Sequence, residues 1–569
     1  MFLLLSNPFP SFSQTGSDID AIMSFLGVDD PSEMDAEEVE RLSAILESPV
    51  SLNSVHLPSC GLFTPYQVAV LEDYRARHGD ILTLLELSLL DGFGEHFVRK
   101  LRPFIILEPS GALASAPPVH DLSARTGIRW RKDQGSDLNY AFRYRADAKE
   151  RYAVTAAVSR GNDATGWYPS AVSGSLLWKF RKRSTRLFVG DFNARFGLGL
   201  TLWSGAFMTG LTTPDTFMKK PSGLSQPWSF TGASAFTGLA ADCTLGPFVV
   251  SSMLALPGVK NIIAGPMLPE LMPALNVTWR SRHGQASLTN VYRHALNLRQ
   301  THALKLRQTH DLNLRQTQAL TGLDAAFCIG GVNLFSELSM DWMLRKARGL
   351  AGVRFRAGEH LDMAVRMHAC QDEELGAALG GEFQTGSFVL DSAFYPVSKD
   401  EEDPWSLQLK SQLSLDLPLS PQLQLKARVT ERVRTWGHAF RTDVRADLQY
   451  VMSTFKVILR VNLLKCDGLG FLSYAEAGHA GERLTVYIRQ GAFLIDDWDD
   501  RIYVYERDAP GTFNAPAMYG RGLWTSAVAG LKFGRSLRVY ARAALTTYPF
   551  MEKKKPGKAE LKLQIQCRF

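Results

Sequence analysis

The chain has 569 residues, of which 45% are hydrophobic and 21% charged, and this composition excludes a disordered protein. Mean hydropathy is −0.09 and no run of eighteen apolar residues occurs, which argues against a membrane-spanning helix. Neither value excludes a transmembrane barrel, because barrel strands alternate lipid-facing and lumen-facing residues. Charge is unevenly distributed. Residues 14–118 contain 17 Asp and Glu against 6 Lys and Arg, a net charge of −11, and since the whole chain carries +6 the remainder carries +17.

The first residues have the pattern of a secretory signal. Met1 to Leu5 are apolar, and Ser11 and Ser13 occupy positions −3 and −1 of a cleavage site before Gln14, so a signal peptide is predicted over residues 1–13. The six cysteines lie far apart, with no CxxC pair and no zinc-type His spacing. Their pattern predicts small apolar residues rather than a metal site or a disulfide framework.

A small all-α domain is predicted over residues 14–107, followed by a linker over 108–120 that is rich in Pro, Ala, Ser and Gly. Asp35 can cap a first helix, and Val39, Leu42, Ile45 and Leu46 follow at helical spacing. Thr64 to Gln67 and Thr83 to Glu86 are two further helix starts, each a capping box. A last helix carries Phe97, Val98 and Leu101.

The segment Asp91 to Gly94 is a glycine-rich turn between the last two helices, and together they match the pattern of a helix-hairpin-helix unit. Such a turn exposes backbone N–H groups at a helix N-terminus, where an anion is favoured, so it can bind a DNA phosphate without reading sequence. Net acidity argues instead for a protein-docking module, and both interpretations stay open. The predicted phosphate-binding residues are Gly92, Phe93, Gly94, Arg99, Lys100 and Arg102.

The stretch from Leu52 to Ile105 resembles the paired helix-hairpin-helix domain of ComEA-like DNA-uptake proteins. The first hairpin, Pro58 to Leu62, departs from the family pattern, whereas the second fits it. The resemblance implies sequence-independent DNA contact. The matching pieces are Ser51-Leu52-Asn53-Ser54, the run Leu71 to Gly79, Leu90-Asp91-Gly92-Phe93-Gly94 and the run Leu101 to Ile105.

Beyond Asp121 the hydrophobic period changes from helical to two. Leu409, Leu413, Leu415 and Leu417 share one face of a segment whose other face is polar, and the same alternation recurs along the chain. The predicted fold class is therefore an all-β transmembrane barrel over residues 121–569 with about 16 antiparallel strands, an even number, and a small N-terminal all-α helix-hairpin-helix domain. A soluble all-β domain is the alternative. The recurrence of aromatics at strand ends favours the membrane.

The C-terminus carries an amphipathic strand that ends in an aromatic residue. Ala559 to Phe569 alternates apolar with charged or amide residues, which is similar to the assembly signal of outer-membrane barrels. The predicted signal residues are Leu561, Leu563, Ile565 and Phe569.

The barrel portion resembles a family that joins helix-hairpin-helix modules to a large outer-membrane barrel, a family that implies architecture rather than an activity. The resembling runs are Gly190-Asp191-Phe192, Phe196 to Gly205, Arg501 to Gly511 and Lys555 to Leu561.

Three other features of the sequence predict no binding or catalytic site. Residues 294–317 hold three copies of an eight-residue unit, and a lengthened extracellular hairpin tolerates such a repeat best. The aspartates around Trp498 and the run Lys553 to Lys555 are predicted to be solvated loops. No compact catalytic or phosphate-binding motif occurs, so no enzyme activity, cofactor or metal is predicted.

Three functional hypotheses follow, all with the barrel in the outer membrane of a Gram-negative cell. The first is a protein that handles or takes up nucleic acid, with a basic barrel and a periplasmic helical domain that binds DNA. The second is a structural or transport barrel whose helical domain docks a periplasmic protein. A barrel hydrolase is the third. The expected partners are DNA, outer-membrane lipid, the barrel assembly machinery and a periplasmic protein.

Overall fold

The structure is a computed structural model that describes residues 18–28, 34, 36–54, 57–115, 117–131, 133, 135–162, 164, 166–180, 182–205, 210–230, 235–257, 270–295, 317–358, 360–397, 399, 404–534, 536–551 and 556–569. The predicted signal peptide, Asp35, most of the eight-residue repeat and Lys553 to Lys555 lie outside the described residues.

Residues 18–107 form a compact helical domain. Apolar side chains from its helices meet in one core that includes Ile22, Phe25, Leu42, Leu71 and Phe104. A two-residue parallel pairing joins Val50–Ser51, which follows α2, to Ile105–Ile106 at the C-terminal end of the domain. Its elements are α1 Asp18–Leu26, α2 Ala36–Glu47, β1 Val50–Ser51, α3 Pro65–His78, α4 Leu84–Ser88, α5 Gly94–Leu101 and β2 Ile105–Ile106, and α6 Ser110–Ser115 follows it.

The predicted helix starts at Thr64 and Thr83 are confirmed. The Thr64 side chain accepts a hydrogen bond from the backbone N–H of Gln67, and the Gln67 side chain accepts one from the backbone N–H of Thr64. Thr83 and Glu86 repeat this reciprocal cap at α4. Gly92 and Gly94 adopt φ values of +79° and +60° in the turn between α4 and α5, a region that favours glycine.

The rest of the chain is a closed antiparallel barrel. The strands are β3 Val119–Arg131, β4 Gly135–Asp147, β5 Tyr152–Arg160, β6 Ala171–Phe180, β7 Thr185–Arg195, β8 Gly223–Ser225, β9 Phe236–Leu245, β10 Phe248–Ala255, β11 Glu270–Ser281, β12 Gly284–Ala295, β13 Gln318–Ile329, β14 Val332–Asp341, β15 Lys346–Arg356, β16 Asp362–Cys370, β17 Glu374–Phe383, β18 Gly386–Tyr395, β19 Ser406–Pro418, β20 Leu423–Arg434, β21 Phe440–Met452, β22 Phe455–Lys465, β23 Leu469–Ala480, β24 Leu484–Ile495, β25 Ile502–Tyr503, β26 Ala517–Met518, β27 Gly520–Phe533, β28 Leu537–Thr547 and β29 Lys558–Arg568.

The ring has 24 strands, so the prediction of about 16 is wrong. Strand β7 pairs directly with β9, which leaves β8 as a short attachment to β7, and β25 and β26 pair only with each other. The ring closes where β29 pairs with β3. The physical reason for the error is that many strands are joined by turns of two to five residues, so each strand uses less of the chain than a barrel with long loops would require.

The barrel is apolar outside and polar inside. Along β22, Leu459, Val461 and Leu463 are 40–47% exposed, whereas Arg460 and Asn462 between them are buried. Because a closed ring has an inner and an outer face, the buried polar residues face the lumen and the exposed apolar residues face outward. This is the reverse of a soluble protein and the pattern of a barrel surrounded by lipid.

The two ends of the barrel differ in their connections. We call the end where β3 begins and β29 ends the lower rim, and the opposite end the upper rim. Turns at the lower rim have two to five residues, for example 246–247 and 282–283, whereas the upper rim carries the long connections 196–235 and 496–519. Among the described residues, no helix has both the length and the apolar composition needed to cross a membrane.

Candidate functional site: a lumen filled by the chain itself

The helical domain lies inside the barrel, near the lower rim. Helix α3 packs against β12 and β13, and polar side chains of the domain reach strands on every side of the ring. A body that contacts a closed ring on all sides lies within it. The contacts are Glu38–Arg195 on β7 (3.3 Å), Glu72–Arg280 on β11 (3.2 Å), Lys100–Glu382 on β17 (3.7 Å), Asp20–Lys456 on β22 (2.8 Å) and Gln566 on β29 donating to Glu47 (3.1 Å).

These contacts explain why the two parts of the chain carry opposite net charges. Four of the five are ion pairs, and in three of them the helical domain supplies the carboxylate and the wall supplies the cation. Residues 14–118, which include the helical domain, carry a net charge of −11, and the remainder of the chain, which is mostly the barrel, carries +17. This arrangement is electrostatically complementary. The sequence suggests that the basic barrel attracts a polyanion such as DNA. In the structure, acidic residues of the N-terminal domain pair with several of the basic residues of the barrel.

Glu38 is the most enclosed of these carboxylates. Burial alone would raise its pKa, but Arg41, Arg195 and Lys220 surround it and hold the pKa at about 2. Arg41 also donates to the Cys60 carbonyl. A buried carboxylate among three cations is stable only while it is ionised, so Glu38 ties the domain to β7 through charge.

The connection 196–235, which we call the first luminal loop, folds from the upper rim into the lumen. Glu337 on β14 accepts hydrogen bonds from the backbone N–H groups of Leu198 (2.6 Å), Leu200 (3.1 Å) and Thr201 (2.9 Å). Farther along the loop, Asp215 pairs with Arg354 on β15. The loop thus reaches from β7 to β14 and β15, which lie six and seven strands farther along the ring.

The first luminal loop also contacts the helical domain. Thr212 donates to the Gly27 carbonyl (3.2 Å), and the Lys220 ammonium lies 4.6 Å from the centre of the Phe25 ring and 5.7 Å from that of Phe97. Such cation–π contacts contribute about 0.5–2 kcal/mol each. The domain is therefore held from above as well as from the sides.

The connection 496–519, the second luminal loop, enters the lumen beside β23 and β29. Three consecutive residues pair with the wall: Glu506 with Arg542 on β28, Arg507 with Glu476 on β23 (2.8 Å) and Asp508 with Lys562 on β29 (2.5 Å). Tyr505 and Phe513 of this loop pack against the core of the helical domain. Both loops therefore converge on the domain.

A cavity of about 940 Å³ remains between the helical domain and the inner face of β17 to β24. Its wall carries charges that are neutralised locally: Asp447, which is fully buried, accepts from Arg445 (3.1 Å) and Arg460 (2.5 Å). Other residues around the cavity are Asp20, Met23, His96, Lys100, Lys426, Lys456, Glu482 and Arg489.

The residues predicted to bind phosphate lie together at the lower mouth. Gly92, Gly94, Arg99 and Arg102 are exposed, and Phe93 is buried in the domain core. Lys100 is partly buried, 3.7 Å from Glu382. Arg99 pairs with Glu95 (2.9 Å), and the Asp91 carboxylate beside the turn accepts from Tyr66. The turn is open to solvent, but two carboxylates flank it.

Three of the predicted assembly-signal residues lie on β29, and Phe569 follows it directly. Leu561, Leu563, Ile565 and Phe569 are 40–70% exposed and face outward, while Gln564 and Gln566 face the lumen. Phe569 stacks on His120 with ring centres 5.3 Å apart, and the two residues exchange backbone hydrogen bonds across the closing strand pair.

Sequence reasoning missed the luminal position of the helical domain and both luminal loops. Two signals were available. One was the opposite charge of the two parts of the chain. The other was the pair of runs Phe196 to Gly205 and Arg501 to Gly511, which carry the resemblance to a barrel family and prove to be the segments that anchor the luminal loops.

Comparisons with known proteins identify no relative by sequence. No protein-family model matches the chain, and no curated protein matches it. Solved structures with similarity include the outer membrane protein OpdK from Pseudomonas aeruginosa, with 10% identity, 80% of this chain and 99% of that chain covered, and a TM-score of 0.29.

Two further similar structures are the translocation pore of the P pilus usher PapC, with 9% identity, 79% and 99% coverage and a TM-score of 0.34, and the siderophore receptor PirA from Acinetobacter baumannii, with 8% identity, 79% and 80% coverage and a TM-score of 0.37. At these identities and TM-scores the similarity is evidence for no shared function. The class of protein rests on this chain's own geometry: a closed 24-stranded barrel whose lumen is occupied by its own N-terminal domain and two inserted loops.

Proposed function

We propose that the protein is a gated transport barrel of the Gram-negative outer membrane and that the helical domain is its plug. The observation that carries this proposal is the set of polar contacts between the domain and strands all around the ring. A barrel of this size would enclose an aqueous channel if it were empty. Apart from the enclosed Glu38–Arg195 pair, the ion pairs that hold the domain are partly exposed, and each such pair contributes only about 0.2–1 kcal/mol. The domain can therefore leave that channel without unfolding the wall.

Outer-membrane placement is supported by the surface of the barrel. Exposed aromatic residues cluster near both rims, as expected for interfacial girdles. Leucines and valines occupy the exposed faces between them. At the upper rim the aromatics are Trp130, Tyr292, Trp342, Trp405 and Phe440, and at the lower rim they are Phe180, Phe248, Trp279, Phe455, Phe533 and Phe569.

The orientation follows from the lengths of the connections. Outer-membrane barrels have short periplasmic turns and longer extracellular loops, so the lower rim, with its turns of two to five residues, is assigned to the periplasm. With this orientation, the helical domain would lie at the periplasmic mouth and the two luminal loops on the extracellular side. Solute entering from outside would first meet the loops and then the plug.

The transport route passes along the cavity beside β17 to β24. On that side the plug contacts the wall through Asp20–Lys456 and Lys100–Glu382, and both pairs border the cavity. Rupture of these two pairs would widen an existing space of about 940 Å³. The mixed charge of the lining favours a polar cargo over an apolar one.

Cross-linking the plug to the wall tests this function. Asp20→Cys and Lys456→Cys, combined in a background without the six native cysteines, would be joined by a short bis-maleimide. Urea below the concentration that unfolds the barrel should release the helical domain first and produce large single-channel conductance in planar bilayers. The cross-linked protein should stay closed, and the same double variant capped at both introduced thiols by a monofunctional maleimide should open. Equal conductance of the cross-linked and capped proteins in urea, or an open channel without urea, would contradict a plug.

A second candidate function is docking of a periplasmic partner at the lower mouth. Leu82, Leu85 and Leu89 of the α4 region are 57–78% exposed although they are large apolar residues, and an exposed apolar patch favours contact with protein. Sequence-independent DNA contact at the neighbouring turn is supported by exposed Gly94, Arg99 and Arg102. The carboxylates of Asp91 and Glu95 count against it.

A salt titration distinguishes these possibilities. The full chain in detergent would be tested for retention of duplex DNA at low salt, with Gly94→Val and Arg102→Ala as variants. Phosphate contact predicts retention that weakens with salt and is reduced in both variants. If the protein retains no DNA at low salt, the DNA-binding hypothesis is excluded. Docking of a protein through the α4 leucines would then be the second candidate function.

A further inference from the structure

Two neighbouring connections at the upper rim bring together three side chains that are typical metal ligands. His438 lies in the connection between β20 and β21, and Cys466 and Asp467 lie in the next hairpin along the rim, between β22 and β23. One ligand atom from each of the three lies within 4.8 Å of the others. In the sequence these residues are separated by up to 29 positions and match no metal-binding motif, so only the barrel register places them side by side.

The geometry around the imidazole is that of a ligand oriented by a second carboxylate. Nδ1 of His438 is 2.6 Å from the Asp467 carboxylate, on the side of the cluster. Nε2, on the opposite edge of the ring, is 3.3 Å from the Asp499 carboxylate. A metal-ligating histidine almost always donates its other ring N–H to a carboxylate, a carbonyl or water, and this partner fixes the ring and its tautomer. Asp499 is placed for that role.

The backbone that carries these ligands is held in place. The buried Asp500 accepts hydrogen bonds from the backbone N–H groups of Cys466 (2.8 Å) and Gly468 (2.6 Å). Arg441 donates to the carbonyl oxygens of Asp499 (2.7 Å) and Arg501 (3.3 Å). The hairpin with Cys466 and the start of the second luminal loop are therefore fixed to each other before any ion binds.

We propose that His438, Cys466 and Asp467 form a binding site for one Zn²⁺-class cation, with Asp499 orienting the imidazole and water completing a tetrahedral set. One thiolate, one imidazole and one carboxylate suit a borderline-soft divalent ion. Ca²⁺ and Mg²⁺ take oxygen ligands and are disfavoured by this set. The side chains of His438 and Asp467 are 41% and 49% exposed, so the ion can enter directly from solvent.

The site stands at the root of the second luminal loop. That loop continues from Asp499 and Asp500 to Tyr505 and Phe513, which contact the core of the helical domain. A bound ion would join two rim connections directly, and the contact of His438 with Asp499 would link the ion to the start of the second luminal loop. Loss of the ion would leave the luminal ion pairs of Glu506 to Asp508 as the remaining anchors.

Metal content and Co²⁺ spectroscopy of the full-length protein test the site. Purified protein in detergent would be loaded with Zn²⁺ alone, desalted and analysed for bound metal. Co²⁺ would then report thiolate ligation through its ligand-to-metal charge-transfer absorption. The wild type should retain one ion per chain. Cys466→Ser should lose the thiolate absorption, and His438→Ala should retain less than a tenth of the metal under the same conditions.

A matched control separates this site from general thiol binding. Cys370 also lies at the upper rim, where its thiol contacts Glu373, but it belongs to no group of three close ligands among the described residues. Cys370→Ser should therefore keep the full metal content and the Co²⁺ spectrum. Asp499→Asn should bind the ion about 10–100-fold more weakly, as expected for loss of an orienting carboxylate. Equal metal content in the wild type, Cys466→Ser and His438→Ala would overturn the proposal, as would loss of metal in Cys370→Ser.

Discussion

The helical domain and the barrel wall satisfy the same physical rules with opposite arrangements. In the helical domain, Phe25, Leu42 and Leu71 are buried, and almost all of the described charged residues are exposed or half-buried. In the wall, Asp447 and Arg460 are buried and Leu459 and Val461 are exposed. One arrangement minimises apolar contact with water, and the other is stable where lipid replaces water outside the ring. The meeting surface of the two regions is accordingly polar and charged.

This difference teaches that burial in the wall and burial in the domain have different energetic meanings. A buried residue of the domain is held by apolar contact, whereas a buried residue of the wall is frequently held by an opposite charge. Substitutions in the two regions should therefore change the free energy of unfolding by different amounts, and these changes should depend differently on pH and salt.

The largest effect is expected inside the wall. Asp447→Ala leaves the guanidinium groups of Arg445 and Arg460 buried without their shared carboxylate, and breaking a buried pair in this way costs about 3–5 kcal/mol. Guanidinium unfolding of the barrel in detergent or lipid would measure the loss. The control is Asp416→Ala, which removes a carboxylate that is 41% exposed and 3.4 Å from Lys426, and a loss below about 1 kcal/mol is expected there. If Asp447→Ala and Asp416→Ala lower the free energy of unfolding equally, burial of the Asp447 charge is not what stabilises the wall.

The outward face gives the next largest effect. Leu459→Arg places a charge against lipid in the middle of β22, where the cost is about 2–4 kcal/mol. Leu82→Arg introduces the same side chain at a leucine of the helical domain that is 57% exposed, compared with 47% for Leu459. A surface substitution in water usually changes stability by less than about 0.5 kcal/mol. Unfolding measured in vesicles should separate the two variants, and a harmless Leu459→Arg would mean that β22 does not face lipid.

The contact between the two regions should weaken in acid. The pKa of Glu38 is lowered from 4.5 to about 2, so the stability it contributes is complete above about pH 4.5 and is lost as the pH falls towards 2. A shift of this size corresponds to on the order of 3 kcal/mol. Protease accessibility of the helical domain, followed from pH 5 to pH 2, would show this loss. Glu38→Gln should make the domain accessible already at pH 5, whereas Glu95→Gln, at a carboxylate that is 84% exposed, should leave the profile unchanged.

The smallest effect is expected at a single partly exposed plug contact. Asp20 and Lys456 are 2.8 Å apart, with Asp20 44% exposed, so a double-mutant cycle with Asp20→Ala and Lys456→Ala should give a coupling energy of about 0.2–1 kcal/mol. Channel-opening thresholds in planar bilayers would report it. A coupling above about 3 kcal/mol would show that this one pair, and not the whole set, holds the plug.

Assembly of the barrel offers a separate test of the predicted C-terminal signal. Phe569 is 70% exposed and its backbone pairs with His120, so Phe569→Asp should leave most wall contacts possible while changing the terminal aromatic residue. Outer-membrane fractions should contain little heat-modifiable barrel if the residue is an assembly signal. Normal abundance of folded protein would show that it is not.

Much of the fold could be predicted from local patterns. The reciprocal caps at Thr64 and Thr83 depend on neighbouring residues, so the sequence alone was enough to place α3 and α4. The alternation that ends at Phe569 marks β29 for the same reason.

The number of strands could not be obtained in this way. In β7, the residues Phe188 and Phe192 face the lumen and pack against other apolar side chains, so the polar inner face that identifies a barrel strand is missing.

The candidate sites depend on contacts that local patterns do not contain. Glu337 is separated from Leu198 by 139 residues, and Asp467 meets His438 only because two hairpins stand side by side. The charge difference between the two parts of the chain is visible in the sequence, where it indicates attraction between the barrel and a polyanion such as nucleic acid. In the structure the same charges are satisfied between the two parts of one chain.

The pairing of β29 with β3 also dictates an order of events during biogenesis. The helical domain precedes the first strand of the ring and is synthesised first, while β29 is made last, and the backbone bonds between His120 and Phe569 join the two ends of the wall. The helical domain can therefore fold before the ring closes, and its contacts with β7, β11, β17, β22 and β29 are available to guide closure of the wall around it.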